Sequence, residues 1–478
     1  MSEGEKHAST PLALDSSPEN LFARPCLSTH ISLRERFHNL VLKGVILDGY
    51  AVRDQVLSLL KEHHSWFSKS LPLIASENVT SHAVREALIS DFMHRYAEGD
   101  PLTRVYAGCR YIDKCEILCI DLMKEIFKAD YADVRPVSGV VANLTMYTAL
   151  TEPKDVMFAL SPTTGGHISM AKKRLGGTAG AVHGLEVEWL PFDEKEMNID
   201  VDQAKKKIEE MKPKLLLFGG SVILFPQPVR ELGQFAREQG AHVGYDAAHV
   251  AGLIACGYFQ DPLREGADVM TMSTHKTLPG PQKGALVARK ELSELLSRAA
   301  FPGCVSNHHL HNVAGLAIAL AELKQFGREY EGQIIKNAKA LGQALHERGL
   351  TVLAEHKGFT DSHQIIVDIT KFGDGGTLEK SLEEASIILN RNLLPWDVRM
   401  GRHYTNPGGL RLGTPELTRL GMKESHMSEV AGFIKRIVVD SEDPKKVSAD
   451  VGEFRKDFQK IAYGFDSVRE AYEYIPIA

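Results

Sequence analysis

Short β-rich runs alternate with amphipathic helical stretches through the middle of the chain: VMFAL (156–160), VEWLP (187–191), KLLLF (214–218), AHVGYD (241–246), ADVMTM (267–272) and GALVA (284–288). This alternation predicts an α/β fold, a mostly parallel sheet with helices on both faces. Ligands of such sheets gather at the carboxyl ends of the strands, so the residues after each run are the ones to inspect. Upstream, apolar spacing over about 45–68 predicts a helix, after which Pro72 sends the chain into an extended segment, LIASENVTS. Downstream, two helical patterns (313–328 and 331–348) precede HQIIVDI (363–369), another helix and GLRLGT (409–414), the pattern of a smaller α+β domain. The stretch LPGPQKG holds too much proline to continue as strand or helix and is expected to be a turn.

At 478 residues the chain exceeds what one hydrophobic core usually serves. The expected division is a flexible tail over 1–32, a helical and extended arm over 33–90, a large domain over 91–310, and a small domain with linking helices over 311–478. The formal net charge of −6, without a long basic block, argues against nucleic acid or an anionic membrane as partner. The N-terminal stretch has no apolar core of the secretory type, and no apolar run is long enough for a membrane span. Six cysteines without C-x-x-C spacing give neither a disulfide framework nor a zinc ribbon, so a cytoplasmic location is expected. The histidines of SNHHLHN (306–312) lack the Asp or Cys partners of a metal-ligand pattern; they mark a helix N-terminus, and no metal site is expected.

Asp246 closes the run AHVGYD, and His249 follows it. A carboxylate at the buried end of a strand needs a cationic partner, either an arginine or the protonated ring nitrogen of a cofactor. Lys276 follows the next run, and an amine in a desolvated pocket has a lowered pKa and can form a reversible C=N bond with an aldehyde. Ser138 and Gly139, in RPVSGVVAN, precede a helical pattern whose N-terminal amides would favour a phosphate, and Ser273 and Thr274 could add hydroxyl donors. His167, after two glycines, could stack on a flat ring. Arg411, in GLRLGT, could fork onto a substrate carboxylate.

The stretches LIASEN, HRYAEGDP, YIDKCE, PVSGVVAN, GGHIS, YDAAHVAGLI, STHKT and LRLGTPELTRLGM resemble the serine hydroxymethyltransferase family over about 45–440. The resemblance implies an aspartate-aminotransferase-like fold (fold type I), with pyridoxal 5'-phosphate as cofactor and tetrahydrofolate or a related pterin as co-substrate. It implies that Lys276 binds the cofactor aldehyde, Asp246 pairs with the ring nitrogen, His249 lies by the ring hydroxyl and His167 stacks on the ring. Ser138, Gly139, Ser221, Thr274 and Tyr96 would complete the cofactor site. Arg411, Ser76, Tyr106 and Asn392 would bind the amino acid and the pterin, with Glu98 as the proton-transfer carboxylate. Tyr96 and the 303–308 turn would reach a neighbouring subunit, implying a homodimer.

Val105, Gln282 and Lys283 depart from the common family pattern, the first two in the manner of archaeal members. The segment THKTLPGPQKG also resembles L-threonine transaldolases, which pass a glycyl carbanion to another aldehyde. A transaldolase is therefore the alternative reading, and a non-catalytic scaffold of the same fold a third.

Overall fold

The protein is described by a computed structural model over residues 48–465 and 468–477; the expected tail and residues 33–47 of the arm lie outside the described residues. Seven strands form the main sheet, in the order Tyr131–Asp133, Pro279–Ala288, Val269–His275, His242–Asp246, Leu215–Gly219, Val156–Ala159 and Glu186–Trp189. Pro279–Ala288 is antiparallel to both of its neighbours, and the pairs beyond it are parallel. Leu215–Gly219 is buried at every position, as a parallel strand covered by helices on both faces must be.

The proline-rich stretch is a strand and not the expected turn. The strand begins at Pro279, and its register with Val269–His275 shifts between Pro279 and Gly284. Proline is tolerated because Tyr131–Asp133 pairs only with Leu286–Ala288, so the Pro279–Lys283 half has one neighbour and fewer N–H groups to supply.

The two helical patterns expected at 313–328 and 331–348 are one continuous helix, Leu310–Glu347. Gly332, inside this helix, allows a close approach: a Cβ on it would come within 2.8 Å of the Tyr258 hydroxyl. Val313, Leu316, Leu320 and Tyr330 in the first half of this helix pack on the large-domain core. Leu341 and Leu345 in the second half join the small-domain core, so the helix crosses the expected boundary. The small domain carries an antiparallel sheet ordered Thr351–Val352, Gln364–Asp368, Gly409–Gly413 and Asn390–Asn392. Part of the arm is built into this domain: Leu71–Pro72 pairs parallel with Ile387–Ile388, and Leu73 O accepts from the Gly413 amide. No helix among the described residues is long and apolar enough to cross a membrane.

A buried ion pair ties the C-terminal segment to this frame. Arg419 donates to Glu322 Oε2 at 2.6 Å and to Tyr463 O, and the Phe465 amide donates to Glu322 Oε1 at 2.9 Å. Both charged side chains are excluded from solvent. Removing one member would leave the other charge buried and unpaired. Glu322→Ala is expected to lower unfolding stability by about 3–5 kcal/mol. Urea denaturation of the variant beside the parent protein checks this, and coincident curves would contradict it.

Candidate active site

The strands His242–Asp246 and Val269–His275 are neighbours and run parallel, so their carboxyl ends emerge on the same side of the sheet. Asp246 closes the first, and Lys276 follows the second directly. The Asp246 side chain is buried. Asn143 donates to its Oδ2 at 2.7 Å and the Ala248 amide to its Oδ1 at 3.0 Å, and among the described residues it has no ion-pair partner. The Lys276 Nζ likewise has no hydrogen-bond partner among the described residues. Burial lowers the Lys276 amine to about 8; the Asp246 carboxylate opposes the shift, and Arg411 adds to it. An amine largely stripped of water thus emerges at the same end of the sheet as a carboxylate that has no ion-pair partner among the described residues.

His167 lies near both groups. Burial lowers its pKa, with Asp246 acting against the shift and Lys276 and Arg411 with it. Its Nδ1 accepts from the Ser169 amide at 3.1 Å and lies 2.8 Å from Ser169 Oγ. A backbone amide can only donate, so the ring proton of neutral His167 is on Nε2. Asn143 links this imidazole to Asp246. Its Nδ2 donates to Ser169 Oγ (2.9 Å) as well as to Asp246, and its Oδ1 accepts from Thr271 Oγ1 at 2.6 Å. All of the amide's main bonds are therefore spent on orienting these two groups.

Ser138 caps the helix Gly139–Leu150, its Oγ accepting from the Val141 amide at 3.3 Å. A Cβ on Gly139 would fall 2.4 Å from Ser273 Oγ, so the free helix end lies directly against that hydroxyl. Helix amides beside a hydroxyl suit a phosphate. Thr274 is not such a donor: its hydroxyl hydrogen is taken by the carbonyls of Pro281 and Lys283, at 2.6 and 3.2 Å. It holds the bend after Lys276, where the irregular strand leaves carbonyls to be satisfied.

Arg411 is half-buried; loss of water around its guanidinium lowers it to about 10, and it has no carboxylate partner among the described residues. It donates to Ser221 O at 2.9 Å and to Asn390 Oδ1 at 3.2 Å. Ser221 thus meets Arg411 through its carbonyl. Ser76 lies on the segment that threads past this strand, where a Cβ on Gly413 would sit 2.4 Å from Ala75 Cα. Asn392 is two residues beyond the contact, and its amide donates to Leu393 O at 2.6 Å. His249 is buried next to His363, the rings stacked at 5.5 Å.

Three expected residues lie elsewhere on the chain's surface. Glu98 Oε1 accepts from Ser306 Oγ at 2.5 Å, and the rings of Tyr96 and Tyr106 are 5.0 Å apart and exposed. This cluster includes part of the 303–308 turn but has no hydrogen bond to Lys276, Asp246 or Arg411 among the described residues. The histidines nearby behave as a helix start: His309 precedes the helix Leu310–Glu347, and His308 Nε2 pairs with Glu116 at 2.8 Å.

Sequence reasoning missed Asn143, Ser169, Asn390 and Gln364. A signal for Asn143 exists, because GVVANLTMYTAL is apolar on nearly every side and a polar side chain buried in such a helix must be bonded. Gln364, in the buried strand QIIVD, gives the same signal.

The serine hydroxymethyltransferase family model matches residues 51–434. The chain is 55% identical over 429 residues to a serine hydroxymethyltransferase of Nitrosopumilus maritimus, covering 89% of this chain and 98% of that protein. It is 56% identical over 435 residues to one of Korarchaeum cryptofilum, with coverages of 90% and 100%. Against one of Methanocaldococcus jannaschii the identity is 56% over 409 residues, with coverages of 85% and 94%.

The lowered amine is directly testable. Reductive methylation with formaldehyde and cyanoborohydride, mapped by mass spectrometry across pH, is expected to label Lys276 with a midpoint near 8. Exposed lysines titrate about two units higher, near ~10.4. A Lys276 profile that overlays theirs would refute the desolvated amine.

Proposed function

Because this chain belongs to the serine hydroxymethyltransferase family, we propose that its pocket interconverts serine and glycine and passes the hydroxymethyl carbon to a reduced pterin of the tetrahydrofolate type. The observation that carries this reading is the juxtaposition of Asp246 and Lys276, a buried carboxylate with no ion-pair partner among the described residues and an amine lowered to about 8. Pyridoxal phosphate fits that pairing, since its aldehyde matches the amine, its ring nitrogen the carboxylate and its phosphate the helix end at Ser138 and Gly139. When bound, this cofactor supplies an electron sink conjugated to the substrate Cα.

The chain's own groups have separable tasks. Asp246, oriented by Asn143, would keep a proton on the ring nitrogen. His167, neutral with its proton on Nε2, would lie flat on the ring, because Ser169 fixes its edge. Arg411 would receive the amino-acid carboxylate, exchanging a neutral carbonyl for a charged partner, with Ser76 beside it. Lys276, lowered to about 8, would reach its neutral, nucleophilic form far more readily near neutral pH than an exposed lysine does.

Glu98, Tyr96 and Tyr106 are best placed to act from a second subunit. They form an exposed cluster of their own, and the helix Gly49–Phe67 has no buried residue while presenting Tyr50, Val56 and Leu59 to solvent. A homodimer would cover that apolar surface and bring Glu98 to the hydroxymethyl group as its proton carrier. Ser221, His249 and Asn392 would line the cofactor and pterin sides of the same pocket.

Purified protein given serine and pyridoxal phosphate is expected to release glycine in a reaction that requires tetrahydrofolate. Lys276→Ala and Asp246→Ala should each lower that rate by at least ~100-fold, about 3 kcal/mol on the barrier. Glu98→Gln should depress the rate comparably while cofactor binding, followed by absorbance, is retained. Threonine cleavage coupled to an added aldehyde and indifferent to folate would replace this reading with a transaldolase.

A further inference from the structure

Gln364 belongs to the small domain, yet its side chain makes its contacts across the boundary. Its Oε1 accepts from the Ile223 amide at 2.8 Å. Its Nε2 donates to Ser221 O at 2.8 Å and lies 3.0 Å from His249 Nδ1. The two backbone partners fix which end of the amide is which, since an N–H cannot accept and a carbonyl cannot donate. The group facing His249 Nδ1 is therefore an NH2, and Nδ1 must be the acceptor.

His363 is consistent with this assignment. Its Nε2 lies 3.1 Å from Ala75 O, which only accepts, so His363 carries its own proton on Nε2 and presents no lone pair there to His249. The 3.4 Å approach of that nitrogen to His249 Nδ1 leaves Nδ1 without any acceptor for a proton. Burial and the positive charges of Lys276 and Arg411 also disfavour an imidazolium at His249.

We infer that Gln364 is a positioning residue that holds His249 as a neutral imidazole with its single proton on Nε2, the nitrogen left free for the pocket. Resting on the cofactor reading above, this gives His249 a fixed role as hydrogen-bond donor toward the bound ring. It also places the control of that donor in the small domain, on the strand that pairs with the one carrying Arg411. One amide then joins a contact between the two domains to the protonation pattern of the cofactor pocket.

The test reads the tautomer itself, by NMR of histidine-labelled protein before and after addition of pyridoxal phosphate, with the His249 signals assigned by their loss in His249→Asn. Wild-type His249 is expected to show the Nε2–H pattern without titrating between pH 6 and 9. Gln364→Glu replaces a donor with an acceptor and is expected to move the proton to Nδ1 or raise the titration midpoint by about 1–3 units, as an opposite charge at this range does. Gln364→Met keeps the volume, removes the donor and should leave a mixture of tautomers. Thermal melting establishes that each variant is folded, and the wild-type spectrum alone decides the case if neither is. Nδ1–H or imidazolium in the wild type, or an unchanged Nε2–H pattern in both folded variants, overturns the inference. Failure of wild type to bind pyridoxal phosphate would instead count against the functional reading, because the tautomer is measured without it.

Discussion

A carboxylate withdrawn from water costs several kcal/mol unless something positive or several donors compensate it, and the site is arranged around that cost at Asp246. Two donors, from Asn143 and the Ala248 amide, hold the side chain, but no cation does so among the described residues. The strand direction decides what can supply one. Since His242–Asp246 and Val269–His275 are parallel, the residue after the second strand must emerge beside the end of the first. An antiparallel pairing of the same sequences would have sent Lys276 to the opposite edge of the sheet. The topology therefore delivers a carboxylate and an amine to one end of the sheet, where a molecule carrying both an acceptor for the amine and a cation for the carboxylate would satisfy each.

One carbonyl of the large domain gathers two bonds from the small domain. Ser221 O accepts from Arg411 at 2.9 Å and from Gln364 at 2.8 Å, and the two donors come from strands paired in antiparallel register. Asn390, opposite Arg411 in the next strand, bonds its guanidinium from the other side. A guanidinium held by neutral oxygens at two points is aimed without being neutralised, which is what recognition of an incoming carboxylate needs. A second link runs through Asn78, which donates to Lys276 O and to the Tyr330 hydroxyl, itself a donor to Pro415 O. Lys276 and Arg411 are thus fixed relative to one another through backbone on both sides of the domain boundary.

Much of this was legible in the chain. The strand runs declared themselves because parallel strands are apolar on both faces; Asp246 and Lys276 stood out as polar residues at their ends, His167 by the two glycines before it, and Arg411 as a charge within a short apolar strand. Thr274 was misread because its hydroxyl is consumed by the carbonyls of a strand that its own prolines had argued against. The single helix Leu310–Glu347 was read as two patterns divided near 329–330, although it runs unbroken from the large-domain core to the small-domain core. Asn143 and Gln364 were illegible for a different reason. Their meaning lies in which backbone groups happen to face them, and no local spacing encodes a partner that is more than a hundred residues away.

Two buried lysines show why an altered amine is not by itself a site. Lys276 and Lys283 are both lowered to about 8, in each case chiefly by burial. Lys283 sits within a strand and not at its end, fully enclosed, with Glu116, Cys119 and Asp133 around it and Pro136 O at 3.4 Å. The next residue, Gly284, donates its amide to the same Pro136 carbonyl, and a Cβ there would lie 2.1 Å from Ser138 O. Lys283 therefore supports from behind the turn that leads into the helix at Gly139, with its amine facing carboxylates it can satisfy electrostatically. Lys276 differs in following its strand directly, near a carboxylate, Asp246, that has no ion-pair partner among the described residues. Placement at a strand end, and not the shifted proton, makes one amine available for chemistry and leaves the other a strut.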